Sequence, residues 1–143
     1  MIDEALKQLN KISYEEELAK LGETPETLLE MALVGVVDDT IYIKGYGGEG
    51  PIPHFHFYET QSCRKGCIKI LEASYFAHGN YLDDLKRDER KELVKWLTEM
   101  DEESVEQGIP RTNWQAICLE WNKNNPQYRL KNLNPPIPDY MKL

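Results

Sequence analysis

Cysteine is scarce and odd in number: Cys63, Cys67 and Cys118 are the only three in 143 residues. That is a poor basis for a disulfide framework and fits a reducing compartment. Histidine is equally rare, with His54, His56 and His78 the whole set. No apolar run approaches the ~20 residues needed to cross a bilayer. The opening stretch MIDEALKQLN has acids where a signal peptide carries positive charge, and no apolar core follows it. A cytoplasmic location without a membrane anchor is therefore expected. Bases are outnumbered 17 to 25, giving a net charge of −8. Direct nucleic-acid binding, which works through Lys and Arg on phosphates, is not expected.

Several motifs of catalysis are also missing. The glycine-rich stretch Gly45 to Gly50 lacks the Gly-Lys-Ser/Thr ending of a phosphate loop. There is no Gly-x-Ser-x-Gly, and Cys63-x3-Cys67 lacks the two-residue spacing of a zinc or redox pair. Repeats and low-complexity segments are absent too.

What remains describes one α+β domain over residues 1–143. Residues 1–33 read as helical: Ser13 with Glu16 forms a capping box, and Thr24-Pro25 opens a second helix. Residues 34–72 read as a small, mostly antiparallel sheet of three to four strands. Val34–Val37 and Thr40–Lys44 form a hairpin around Asp38-Asp39, with further strands at His54–Glu59 and Cys67–Glu72. Residues 83–125 return to helix. Leu93, Val94, Trp96, Leu97 and Met100 mark one face of a helix over 87–103. Thr112 with Gln115 caps the next, whose Trp114, Ile117, Cys118 and Trp121 recur at i, i+3, i+4 and i+7. Residues 126–143 form a proline-rich extended tail, expected along the surface.

The most pointed chemistry lies in Pro53-His54-Phe55-His56-Phe57-Tyr58. Side chains alternate along a strand, so His54 and His56 share one face and Phe55 and Phe57 take the other, toward the core. Two imidazoles at that spacing can chelate one ion if a third donor is near. His54, His56 and His78 suit zinc, and two histidines with a carboxylate such as Glu59 or Glu72 suit iron(II) or zinc. The same face, without metal, suits a polar ligand. The candidate ligand contacts are His54, His56, Tyr58, Tyr75, His78 and Arg64. No catalytic residue stands out.

The segment from Gly45 to Leu133 resembles a family of small prokaryotic proteins, domain of unknown function 4160. The resemblance lies in the Pro53-His54-Phe55-His56 strand, the following Ile68-Lys69-Ile70, the helix with Leu93, Val94 and Trp96, and the later Trp121-Asn122. It implies a compact α+β fold and a setting among phages, toxin–antitoxin loci and other mobile elements, and it implies no reaction. The expected function is thus that of a small non-enzymatic binding protein of a bacterium, phage or mobile element. It would engage a small-molecule ligand or a protein partner through the His54/His56 face, with a homo-oligomer open to it. One alternative is a metal-dependent hydrolase built on His54, His56 and His78. Another is an acidic nucleic-acid mimic or antitoxin-like inhibitor, since residues 83–106 alone carry ten acids against five bases.

Overall fold

A computed structural model describes residues 32–47 and 50–143. The N-terminal helices expected before residue 33 lie outside the described residues. Four strands, β1 (Ala32–Val37), β2 (Ile41–Gly45), β3 (His54–Glu59) and β4 (Arg64–Lys69), form one antiparallel sheet in the order β1-β2-β3-β4. Among the described residues three helices follow, α1 (Arg87–Thr98), α2 (Glu102–Glu106) and α3 (Asn113–Asn124). Short 3₁₀ turns occupy Pro126–Tyr128 and Tyr140–Lys142. The α+β class is as expected, with four strands.

Local chemistry explains most of the boundaries. Asp38 and Asp39 both take positive φ, 50° and 58°, as a type I′ hairpin turn requires. Strand β3 covers the expected residues, but β4 begins at Arg64 instead of Cys67. The cause is the Glu59 carboxylate, which accepts hydrogen bonds from the N–H groups of Gln61 (2.8 Å) and Ser62 (2.9 Å) and from the Ser62 hydroxyl. These bonds fold Thr60–Cys63 into a tight turn, so pairing resumes at once with Arg64 opposite Glu59.

Helix α1 stops at Thr98, short of the expected 103. The Asn113 side chain donates to the Trp96 carbonyl at 2.9 Å, and the Asn113 N–H donates to the Glu99 carbonyl at 2.8 Å. Carbonyls that would have continued the helix are thus taken by the start of α3. The Thr112–Gln115 capping box forms reciprocally, as expected.

One face of the sheet is apolar. Ile41, Ile43, Phe55, Phe57 and Ile68 pack with Leu93 and Leu97 of α1 and with Trp114, Ile117, Cys118 and Trp121 of α3. The tail departs from the expected surface course. It lacks regular structure over most of its length, yet Tyr140 is fully buried against Phe55 and Trp114. Its hydroxyl donates to the Lys69 carbonyl at 2.7 Å, and Trp114 Nε1–H donates to the Pro135 carbonyl at 2.7 Å.

The opposite face is polar and also buried. Register aligns Tyr42, Tyr58 and Lys65 in one row across β2, β3 and β4, and Lys44, His56 and Cys67 in the next. With His54, all seven are buried. A buried sheet face this rich in polar side chains is uncommon, which makes it the natural place to look for a site. Among the described residues, no helix is long and apolar enough to cross a membrane.

Candidate metal centre

The centre is built on the His-x-His of β3. Strand alternation turns Phe55 and Phe57 into the apolar core and leaves both imidazoles on the polar face. The rings stand 5.1 Å apart, centre to centre, and the residues are 3% and 1% exposed. Beside them on β4 lies Cys67, directly opposite His56. Its Sγ is 3.2 Å from His56 Nδ1. One donor atom from each of His54, His56 and Cys67 falls within 4.8 Å of the other two, so this group can hold a metal ion.

The fit can be tested against coordination geometry. Ligand atoms about 2.0–2.3 Å from a tetrahedral ion are roughly 3.3–3.6 Å apart. The sulfur–nitrogen separation of 3.2 Å is already near that value. A backbone contact orients His54 for coordination, since its Nδ1 lies 2.7 Å from the Ile52 carbonyl. A proton on Nδ1 donated to that oxygen leaves the lone pair on Nε2, the usual outer-shell arrangement of a metal-binding histidine.

Aromatic side chains enclose the group. Phe76 and Trp121 pack on His54 with ring centres at 4.6 and 5.4 Å, and Tyr46 and Tyr81 pack on His56, both at 4.8 Å. Trp121 comes from the end of α3, where the Asn125 side chain donates to the Tyr46 carbonyl at 3.0 Å. Tyr46, Cys67, Tyr81 and Phe76 form a small apolar cluster of their own around the histidines. A low-dielectric wall of this kind strengthens electrostatic interactions inside it.

His78 completes the histidine set, with its ring centre 5.6 Å from His54 and 5.7 Å from His56. All three histidines named from the sequence therefore come together. Tyr58 lies on the same face, two positions beyond His56, with Lys44 Nζ 5.5 Å from its ring centre. Burial pushes the pKa of the Lys44 ammonium down to about 6. Tyr75 and Arg64 are placed elsewhere. The Tyr75 hydroxyl accepts from the Leu85 N–H at 2.9 Å and its ring packs against the main core. Arg64 sits at the far end of β4, forked onto Glu89 at 2.6 and 2.8 Å and donating to the Asp84 carbonyl.

The two carboxylates considered as metal or proton partners are engaged away from the histidines. Glu59 organises the β3–β4 turn, and exposed Glu72 pairs with Lys69 at 3.3 Å. Cys118 is core, its thiol pKa pushed up to about 12 by burial. Cys67 is the donor that sequence reasoning missed. A strand starting at Cys67 sets that residue opposite Glu59, whereas the true start at Arg64 sets it opposite His56. Recognising Glu59-Thr-Gln-Ser as a turn closed by its own carboxylate would have corrected the register.

Comparison with known protein families, characterised proteins and solved structures yields no match for this chain.

Proposed function

We propose that this is a metal-binding protein whose ion, of the zinc class, is held between β3 and β4 by His54, His56 and Cys67. The observation that carries this reading is the buried convergence of two imidazoles and a thiol within 4.8 Å. A donor set of nitrogen and sulfur favours zinc and other late first-row ions over magnesium or calcium, which take oxygen. It also favours zinc over the iron(II) arrangement of two histidines and a carboxylate, because neither Glu59 nor Glu72 joins the group.

Two other readings fit this burial less well. With His54 and His56 at 3% and 1% exposure, the pair offers no surface on which a macromolecule could dock. A hydrolase needs an open coordination position for water and a base beside it. The two carboxylates considered as bases are engaged elsewhere, Glu59 in the β3–β4 turn and Glu72 in a surface ion pair, which favours a structural ion over a hydrolytic one. The ion here supplies structure, or the response to its own concentration, to a small protein.

Zinc uptake by the metal-free chain, followed against a competing chelator, tests the proposal. Wild type is expected to take up one equivalent. Cys67→Ser should bind more weakly by about tenfold or more, and the His54→Ala/His56→Ala pair should bind none. Uptake by that double variant equal to wild type would sink the site.

A further inference from the structure

Resting on the metal-centre reading above, we infer that His78 is the fourth ligand. It reaches the ion by turning its ring away from Phe76, so that the ion ties down the segment 75–82 already packed over the site. The ring separations point to it. An ion 2.0–2.1 Å beyond an imidazole nitrogen lies roughly 3.2 Å from the ring centre, so two tetrahedral imidazole ligands have centres about 5.2 Å apart. The separations among His54, His56 and His78 are 5.1, 5.6 and 5.7 Å. The three ring centres thus lie at nearly the mutual spacing of ligands on one ion, with the Cys67 sulfur beside one of them.

His78 differs from the other two in being half-buried and in its orientation. Its nitrogens fall outside the set within 4.8 Å, and its ring is stacked on Phe76 at an interplanar angle of 20°. The backbone around it is anchored on both sides. Before it, the Phe76 N–H donates to the Cys67 carbonyl at 2.9 Å; after it, the Asp83 N–H donates to the Lys65 carbonyl at 2.8 Å. Both anchors are on β4, the strand that carries the thiol. Between them His78 opens a turn closed by the Tyr81 N–H on the His78 carbonyl at 3.0 Å. Gly79 in that turn has φ +59°, a conformation glycine adopts without penalty, and a Cβ there would meet nothing within 4 Å. The turn is therefore fixed at its ends and, among the described residues, uncrowded at Gly79.

To meet the ion, the His78 ring leaves its stack on Phe76. The resulting sphere of three nitrogens and one sulfur has no position left for water, the pattern of a structural or regulatory zinc site. It also ties a surface turn to a buried ion, so the state of the ion becomes legible on the outside of the molecule through the ordering of residues 75–82.

The test uses cobalt(II) as a spectroscopic probe and zinc competition on the full metal-free chain, with His78→Ala and His78→Gln. Wild type should give the intense visible bands of four-coordinate cobalt together with sulfur-to-metal charge transfer. Both variants should keep the charge transfer, because Cys67 remains, but lose visible intensity as water enters. Their zinc affinity should fall by more than about tenfold, the loss that even outer partners of a ligand can cause. Amide hydrogen exchange over residues 75–82 should slow on zinc addition in wild type. Variants with the wild-type spectrum and affinity, or exchange in wild type unmoved by zinc, would overturn the role of His78 and leave the three-donor site standing. Absence of both cobalt signatures in wild type would overturn the metal centre itself.

Discussion

At the scale of the residue, burial decides what each side chain does. His54 and His56 were legible in the sequence as a pair on one strand face, because alternation with Phe55 and Phe57 leaves no other arrangement. Cys67 was not, because its relevance depends on a register set by Glu59. That carboxylate is the clearest electrostatic device in the chain. Burial alone would raise its pKa, but hydrogen bonds from the Ser62 hydroxyl and the Gln61 and Ser62 N–H groups, with Arg64 beside them, outweigh this and hold it below the ordinary 4.5. A carboxyl lowered in the folded state contributes stability above its unfolded pKa and loses it as pH falls through the folded value. Glu59→Gln should therefore be less stable than wild type at pH 7, by about 1–3 kcal/mol for a charged acceptor of several bonds. The gap should narrow below about pH 4.5, the ordinary glutamate range. Denaturant unfolding at pH 7 and pH 3 measures it, and an equal gap at both would contradict the assignment.

At the scale of the element, the helix with its own cap and spacing, α3, matched expectation, while α1 and the strand set by pairing did so only in part. The Thr112–Gln115 box and the Trp114–Trp121 spacing define α3 without reference to the rest of the molecule. Strand β4 starts with Arg64-Lys65-Gly66, which carries no strand signal of its own, and pairing with β3 forms it. Gly66 is needed there for space. A Cβ at that position would collide with the Asp83 carbonyl and lie 2.7 Å from the Phe57 ring. Gly66→Ala should cost about 1–3 kcal/mol through overpacking. It should also displace the segment after Phe76 that carries His78 and Tyr81, so zinc affinity should fall together with melting temperature. A variant with unchanged stability would mean that the segment does not press on β4 as described.

At the scale of the whole molecule, a single sheet separates two interiors of different chemistry. The apolar side is closed by α1, α3 and the tail, and the polar side holds His54, His56 and Cys67, a group that could take up a metal ion. The tail illustrates why sequence reading stops short. Proline and polar residues from Asn132 to Asp139 read as surface, and nothing local shows that Tyr140 returns to the core at the end of β4. Its hydroxyl bonds to the carbonyls of Lys69 and Ile70, which lie at the base of the segment leading to His78. Tyr140→Phe should cost about 1–3 kcal/mol by leaving those carbonyls without their donor, and Tyr140→Ala about 3–5 kcal/mol. Thermal unfolding in the presence of chelator checks both, and equal stability of Tyr140→Ala and wild type would show that the tail does not close the core.

The central claim is that β3 and β4 hold one ion per chain, and it is tested most directly by the native mass of the untagged chain purified without chelator, with metal content measured on the same sample. The mass of the chain plus one late first-row ion is expected for wild type, and the bare chain mass for His54→Ala/His56→Ala. A bare mass for wild type that stays bare after zinc is added would contradict it.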